Sequence, residues 1–388
     1  MLEESVLEGY VEETGMQNIW QVERDYLQHI ILRAIYSKVS KGMVFKGGTA
    51  LQKLGIVDRF SIDLDFTSSL SDEELRGIAG YVSKYLSDIG IRNEYSIVGT
   101  GESTKHMDVV FRIEGPHFIK TKAENAKATI KLQISRREEV MLGSNAERII
   151  PIYKDIPPYV VSVMHMEEVA AEKVRAIMTR DKPRDVYDLS LLIKKGYPLH
   201  ELLIRKKLEG YAEFSMEGFE KAIEDKKDSW SIELRNLLYK HTMQSGLPDF
   251  DDAKASVLGF FEKNIAITAE FSPSKNGIIK EYVTQVSADK LALLGDNAKI
   301  LGKSIYIPFD ANVDVFFYAK QDHTYLEVYE DENKLIELPG STAFPVSSRS
   351  LGLNIIARKG KSMHFNLSIK KKVDRPNKIY VAILLKRV

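Results

Sequence analysis

The spacing of apolar and polar residues predicts alternating helices and strands in the first part of the chain. Residues 18–40 carry apolar side chains three and four positions apart, which predicts a helix. A short buried strand is expected at Val44-Phe45, and a capping-box-like sequence at Ser71 predicts a helix that runs to about Ser87. Alternation then predicts strands at Met107–Ile113 and Ala128–Ser135. These elements favour one sheet with helices beside it.

The second half of the chain changes from helical to strand-like patterns. Met166 to about Arg180 has a helical period, and another helix is predicted to begin near Arg184. Residues 199–263 are typical of charged helices. From Ile265 onwards, short runs are apolar throughout or alternate with polar residues, and turn residues separate them. This pattern predicts a separate β-sandwich and places the chain in the α+β class.

The segment Arg59–Phe66 is expected to form a strand with two carboxylates on one face. Its apolar side chains would point into a core: Phe60, Ile62, Leu64 and Phe66. Asp63 and Asp65 would lie on the other face, about 6–7 Å apart. Such carboxylates repel each other unless a cation lies between them, and Mg²⁺ prefers oxygen ligands of this kind together with substrate phosphates. An Asp-x-Asp pair is also common on solvated strand faces.

Two glycines, Gly47 and Gly48, follow the strand at Val44-Phe45. A glycine break before the helix-like sequence from Thr49 would leave backbone N–H groups open to an anion. Fourteen residues separate Gly48 from Asp63, which is enough for one helix and a returning strand. The glycines and the aspartates would together hold a nucleoside triphosphate and its metal ion.

A lysine interrupts the apolar face of the helix predicted from Met166. Lys173 lies among Val169, Val174 and Ile177. Burial of an ammonium costs several kcal/mol unless an anion compensates it, and a bound triphosphate is one such anion. Alternatively, the lysine stem packs in the core while its amine reaches solvent or a structural acid.

The helix predicted near Arg184 carries two acids on one side. Asp185 and Asp188 lie three positions apart, and Asp185 shares its face with apolar residues, which suggests a salt bridge or a substrate contact. Arg180 and Arg184 could hold phosphate oxygens. The alternative is that these acids serve the helix dipole or a structural Arg–Asp pair.

Composition limits the chemistry that these 388 residues can supply. They contain no cysteine, so a metal ion must be held by oxygen or histidine. No run approaches about 18 apolar residues, and the acidic start differs from a signal peptide, which predicts a cytoplasmic protein without a membrane segment. Formal net charge is zero, but Arg349–Val388 carries eleven Lys or Arg against Asp374 alone, including Lys370–Lys372. This basic segment could contact phosphates or form a solvated face.

The combined motifs resemble those of the AbiEii-type nucleotidyltransferases. These are toxin components of phage-defence and toxin–antitoxin systems within the polymerase-beta-like nucleotidyltransferase superfamily. The resemblance covers roughly residues 15–200. It rests on four segments in the family's order: Phe45–Leu51, Arg59–Phe66, Glu172-Lys173 and Arg184–Leu189.

The resemblance implies both a fold and an activity. The fold would be a polymerase-beta-like core with a mixed sheet and flanking helices. We therefore expect a nucleotidyltransferase core at 1–198. Beyond the resemblance, the pattern along the chain predicts a helical extension packed on the core at 199–263 and a β-rich C-terminal domain at 264–388. The activity would be transfer of a nucleoside monophosphate from an NTP, with RNA, and the 3′ end of tRNA in particular, as the expected acceptor. A cognate antitoxin is a further expected partner.

The resemblance also implies roles for particular residues. Asp63 and Asp65 would bind Mg²⁺ or Mn²⁺, and Gly47, Gly48 and Thr49 would cradle the phosphates. Lys173 would match the essential lysine of the family, and Asp185 or Asp188 would match the acid that accompanies it. The remaining residues predicted to bind nucleotide are Lys46, Arg59, Ser61, Arg180 and Arg184.

One position departs from the superfamily pattern. A third carboxylate is common on a later strand, but the matching strand here offers the neutral Gln133. Glutamine cannot act as a base. Glu138, Glu139 or Asp108 could substitute, or Mg²⁺ could lower the pKa of the attacking hydroxyl sufficiently. Two other functions stay open at this point: a nucleotide-binding regulatory module without catalysis, and transfer to a small molecule with an aminoglycoside-like hydroxyl.

Overall fold

The computed structural model describes residues 2–99, 105–273, 279–285, 304–306, 310–319, 324–340, 346–348, 351–369 and 379–387. Lys370–Lys372, the centre of the predicted basic segment, lie outside these residues. The chain divides into two compact units. The first unit comprises Met1–His165, Lys182–Leu191 and Lys226–Phe250, and the second comprises Met166–Asp181, Leu192–Asp225 and Asp251–Val388. The division into three consecutive domains stays a prediction.

The helices of the described residues lie before residue 264. Their bounds are α1 (Glu4–Thr14), α2 (Ile19–Lys38), α3 (Gly47–Lys53), α4 (Asp72–Asp88), α5 (Pro116–Thr121), α6 (Met166–Thr179), α7 (Arg184–Lys194), α8 (Glu201–Leu208), α9 (Met216–Glu224), α10 (Lys227–Arg235), α11 (Lys240–Gln244) and α12 (Phe250–Lys263). No helix in the described part of the chain is long and apolar enough to cross a membrane.

In the residues that the structure describes, strands form one sheet in the first unit and two in the second. Those of the first unit are β1 (Met43–Lys46), β2 (Leu64–Ser68), β3 (Asn93–Val98), β4 (His106–Ile113), β5 (Ala128–Ser135), β6 (Ser144–Ile149) and β7 (Tyr159–Met164). Those of the second unit are β8 (Asn264–Pro273), β9 (Ile279–Gln285), β10 (Ser304–Tyr306), β11 (Ala311–Ala319), β12 (Thr324–Glu330), β13 (Asn333–Pro339), β14 (Val346–Ser347), β15 (Ile355–Ala357), β16 (Ser362–Ile369) and β17 (Ile379–Arg387).

The sheet of the first unit is mixed. In its described strands the order is β3-β4-β5-β2-β1-β7-β6. Strand β2 is antiparallel to β1 and parallel to β5, while β4 is antiparallel to β5. One face is apolar and buried, because the alternate residues of β4 and β5 are fully enclosed. The opposite face is partly open and carries the polar residues of β2, β4 and β5.

Local sequence determines several of these elements as expected. The helix predicted over 18–40 is α2, and its buried residues include Val22, Tyr26 and Ile30. The capping box predicted at Ser71 is present: its hydroxyl accepts the N–H of Glu74, whose carboxylate accepts the N–H of Ser71. These two hydrogen bonds begin α4 at the residue that the sequence indicates.

The prediction that Arg59–Phe66 forms a strand along its whole length is wrong. Only its last part is β2, which begins at Leu64. Phe60 and Phe66 are buried as expected, but Ile62 is 51% exposed and does not point into the core. Asp63 therefore precedes the strand, and only Asp65 lies in the ladder.

In the residues before β2, hydrogen bonds to side chains take the place of hydrogen bonds to a neighbouring strand. The amide of Gln28 donates to the carbonyl oxygens of Ser61 and Ile62, at 2.9 and 2.7 Å. Gln52 accepts the N–H of Ser61 at 2.8 Å. Because these backbone groups already have partners, the chain here needs no neighbouring strand and follows the path that α2 and α3 set.

The second unit contains the predicted β-sandwich. A four-stranded sheet has the order β10-β16-β12-β13, and a larger sheet has the order β14-β11-β17-β8-β9, with β15 paired to β11. Buried residues from both sheets share one core: Val313, Val315, Phe317, Leu326, Val328, Phe365, Val381 and Ile383. The alternating apolar pattern after residue 264 therefore gave the correct fold class, α+β with two sheets packed together at the C-terminal end.

Candidate active site

Asp65 lies against Gly47, which together with Gly48 begins α3 directly after β1 and is called the glycine turn. In the sheet it is opposite Lys46 on one side and Gln133 on the other. A Cβ atom added to Gly47 would lie 2.4 Å from Oδ2 of Asp65, and Gly47 has φ +74°. Only glycine adopts this conformation without strain and leaves the space that the carboxylate fills. The structure therefore brings together the two motifs that the sequence separates by one helix.

Asp63 lies half-buried immediately before β2. The hydroxyl of Thr49 donates to its backbone carbonyl and ties it to α3. Burial raises the pKa of the Asp63 carboxyl, and the charge of Asp108 acts in the same direction, whereas Lys131 and Arg184 oppose it. A carboxylate in this environment is stabilised by any cation that reaches it.

Arg59 and Asp188 form a buried ion pair. Nε and Nη2 of Arg59 each donate to one carboxylate oxygen of Asp188 at 2.6 Å, and the third nitrogen, Nη1, donates to the Phe60 carbonyl. Both side chains are almost completely buried. A Cβ atom added to Gly48 would lie 2.5 Å from Nη2 of Arg59 and 3.0 Å from the hydroxyl of Ser61. The Arg59 guanidinium thus lies against Gly48, and Asp188 of α7 holds the guanidinium in place.

The first turn of α7 supplies two more of the predicted residues. Arg184 pairs with Glu233, and its backbone N–H donates to the same carboxylate at 3.2 Å. The charge of Arg184 also acts on Asp63. Asp185 is fully buried and contributes to the negative environment of Arg59.

Lys173 and Arg180 belong to the second unit. Lys173 is 5% exposed, so the burial that the apolar stripe predicts is correct. Its neighbour Glu172 and the fully buried Glu168 both accept from the ammonium of Lys207, at 3.2 and 2.6 Å. The roles of Lys173 and Arg180 in nucleotide binding stay predictions.

A row of polar side chains crosses three strands next to the aspartates. Asp65, Gln133 and Asp108 are register partners on β2, β5 and β4. In the amide orientation that satisfies both ends, Gln133 donates to Oδ1 of Asp65 at 3.0 Å and accepts from Nζ of Lys131 at 2.9 Å. Lys131 also pairs with Asp108 at 2.6 Å. Glu138 and Glu139 follow the end of β5.

Sequence reasoning identified Gln133 but missed Lys131. The signal was available, because alternation along β5 puts Lys131 on the same face as Gln133. Nothing in the sequence alone shows that its ammonium would contact both Gln133 and Asp108.

The aspartate pair fits a divalent metal ion. Asp63 and Asp65 offer oxygen ligands, which Mg²⁺ accepts in sites completed by substrate phosphates. The carboxylate of Asp65 is held against Gly47, and burial disfavours the charged form of Asp63 unless a cation is present. Within the described residues, no group of three or more His, Asp or Glu side chains could hold a metal ion.

Several solved structures are similar to this chain. A candidate nucleotidyltransferase from H. pylori is 19% identical with a TM-score of 0.41, and the match covers 62% of this chain and 92% of that chain. MenT4, a nucleotidyltransferase toxin from Mycobacterium tuberculosis H37Rv, is 18% identical with a TM-score of 0.39, covering 66% and 99%. JHP933 from Helicobacter pylori is 20% identical with a TM-score of 0.39, covering 62% and 89%. A search of curated proteins gives no match.

The family comparison covers most of the site. Residues 30–256 match the family of the nucleotidyl transferase AbiEii toxin of type IV toxin–antitoxin systems. The match extends past the end near residue 200 that the motifs indicate, and it includes the glycine turn, the aspartates and α7. It spans more than half of the chain. The chain is therefore a nucleotidyltransferase that belongs to the AbiEii toxin family.

Proposed function

We propose that this nucleotidyltransferase moves a nucleoside monophosphate from an NTP to a hydroxyl group of RNA, with the 3′ end of tRNA as the preferred acceptor. The contact between Asp65 and the Gly47 turn carries the proposal, because it puts a carboxylate beside the backbone expected to receive the phosphates. The hydroxyl loses its proton to solvent and its oxygen forms a bond to the α-phosphorus, while the bond from that phosphorus to the bridging oxygen breaks and pyrophosphate leaves.

Asp63 and Asp65 would hold Mg²⁺ or Mn²⁺ in this proposal. A divalent ion bound there would offset the charge of the phosphates and lower the pKa of the attacking hydroxyl. The residues around the pair have supporting roles. Thr49 fixes the backbone of Asp63, and Arg184 adds positive charge on the same side.

Arg59 and Asp188 act as positioning residues in this account. Each uses its charged group on the other, and both are shielded from solvent. Arg59 lies against Gly48, so we expect the loss of the pair to disturb the turn rather than to remove a group that contacts nucleotide. Lys173 is proposed as the cation that neutralises the triphosphate, on the family resemblance alone. A cognate antitoxin is proposed as a partner on the same basis.

The test is a transfer assay with each α-labelled NTP, offered with total RNA, purified tRNA and total protein. We expect one NTP to label tRNA, and prior oxidation of the tRNA 3′ ribose by periodate to abolish the label. Asp65→Asn should remove transfer. Asp88→Asn is the matched control, since Asp88 is an exposed acid of α4 that pairs only with the exposed Lys84 in the contacts described here.

Other outcomes would redirect the proposal. Label in a small-molecule fraction but not in RNA would favour the aminoglycoside-like acceptor, and label in protein would move the acceptor to that class. Full transfer activity in the Asp65→Asn protein would refute the assignment of Asp65 to the active site.

A further inference from the structure

One side chain links the Lys131 ammonium to the Asp65 carboxylate. Gln133 connects them, with its amide nitrogen 3.0 Å from Asp65 and its oxygen 2.9 Å from the ammonium. Lys131 precedes the Leu132–Leu64 pair by one residue along β5, and Asp63 precedes the same pair by one residue, immediately before β2 begins. Its positive charge acts on the Asp63 carboxyl, and Gln133 links it to Asp65.

Two other side chains hold this ammonium in place. Asp108 accepts from Lys131 at 2.6 Å through Oδ2, and its other oxygen, Oδ1, lies 2.7 Å from Nε2 of His106. The Lys131 side chain is about one-third exposed, and Asp108 is more enclosed. Since Gln133 and Asp108 contact the ammonium from two neighbouring positions, it is a fixed feature of the site rather than a mobile surface lysine.

This arrangement opposes a second divalent ion. Two-metal transfer sites place their ions about 3.5–4 Å apart, with acidic side chains shared between them. On the β5 side of Asp65, an amide N–H already donates to the carboxylate, and an ammonium lies beyond it. Position 133 therefore presents an amide N–H, with an ammonium behind it, where a third carboxylate would otherwise attract an ion, and Asp108 offsets part of the charge of that ammonium.

We propose that the site takes a single divalent cation, at Asp63 and Asp65, and that the Lys131 ammonium supplies the second positive charge. The inference rests on the proposed function, because it concerns the metal at the same aspartates. Gln133, which stands where the superfamily commonly has a third carboxylate, then orients Lys131 and does not replace a base. Asp108 and His106 are then positioning residues for the ammonium.

The number and spacing of bound ions can be measured with Mn²⁺. The full chain is titrated with Mn²⁺ alone and with the α,β-methylene analogue of each NTP in turn, and protein-bound Mn²⁺ is counted after gel filtration. Electron paramagnetic resonance then distinguishes an isolated ion from a pair a few ångströms apart, because only a pair shows magnetic coupling. For the wild-type chain we expect one bound ion and no coupling.

A double variant makes the complementary measurement. Lys131→Met combined with Gln133→Asp removes the ammonium and restores a carboxylate, so we expect a second ion and a coupled signal. Lys131→Met alone should still bind one ion. Lys84→Met is the matched control, because Lys84 is an exposed lysine of α4 and its loss should change neither count. Circular dichroism checks that each variant is folded.

The outcomes separate this inference from the proposed function. A coupled Mn²⁺ pair in the wild-type chain would overturn the inference and leave the proposed function standing. A double variant that folds and still binds one ion would also overturn it. A wild-type chain that binds no ion, or one ion that Asp65→Asn does not remove, would overturn the metal site of the proposed function and the inference with it.

Discussion

The Asp188→Ala substitution tests whether the Arg59 pair is structural. The change leaves a guanidinium buried without its carboxylate partner, and it removes two hydrogen bonds of 2.6 Å. Removal of one partner from a buried ion pair costs about 3–5 kcal/mol. At about 2–4 °C per kcal/mol for a domain of 150–250 residues, we expect the unfolding temperature of the first unit to fall by about 6–20 °C.

The assay combines thermal unfolding with transfer activity at a temperature where every variant is folded. Asp88→Ala is the control, since its exposed ion pair is worth at most about 1 kcal/mol. The double variant Arg59→Met/Asp188→Leu removes both charges and should recover much of the lost stability, because an apolar pair of similar volume avoids the unpaired charge.

A catalytic role for Asp188 predicts a different result. In that case Asp188→Ala would abolish transfer while the unfolding temperature changed by less than about 2 °C, a shift that corresponds to under about 1 kcal/mol. Such a result would refute the assignment of Arg59 and Asp188 as positioning residues.

Three further predictions follow from single side chains. Gly47→Ala should lower transfer on the order of 100-fold, because the new Cβ displaces the Asp65 carboxylate. Gly55→Ala is the control, since Gly55 has a similar φ of +64° with open space around it. It should lose only about 1–2 kcal/mol of stability and keep its activity. Asp63→Asn should raise the unfolding temperature at pH 7. The raised pKa of Asp63 means that the folded state binds the proton more tightly than the unfolded state, so the gain in unfolding temperature should vanish below about pH 3.8, the ordinary pKa of the carboxyl. The gain should also shrink when Mg²⁺ is added. An equal gain at all pH values would contradict this prediction. Asp25→Ala should lower the free energy of unfolding in urea by about 3–5 kcal/mol, since this buried carboxylate pairs with Lys53 and accepts hydrogen bonds from Gln52 and Tyr153. Because the pKa of Asp25 is lowered in the folded state, its stabilising contribution is present above pH 3.8 and is lost as the pH falls. A loss under about 1 kcal/mol would refute this prediction.

Local patterns in the sequence predicted the elements that depend on local physics. The bounds of α2 and α4 follow from apolar spacing and from the capping box at Ser71, and both are determined within a few residues of the chain. The alternation on β4 and β5 likewise reflects one buried face. The β-sandwich was predictable for the same reason, because each strand there has one side in a shared core.

Contacts between distant residues were not predictable in this way. Arg59 and Asp188 are 129 positions apart, and the sequence allowed each to bind substrate as readily as to bind the other. Periodicity placed Ile62 inside a strand, but the side chains of Gln28 and Gln52 take the backbone groups that a strand would use. The position of Lys131 beside Gln133 was visible as a shared strand face, whereas its contact with Asp108 required the neighbouring strand.

In the proposed function, Asp63 and Asp65 hold the metal ion of the bound nucleotide beside the Gly47 turn. The most direct measurement is the anomalous scattering of Mn²⁺ in crystals grown with an α,β-methylene NTP analogue. We expect one strong peak within coordination distance of both carboxylates, with the phosphates next to Gly47 and Gly48. A peak at other residues, or phosphates bound away from this turn, would contradict it.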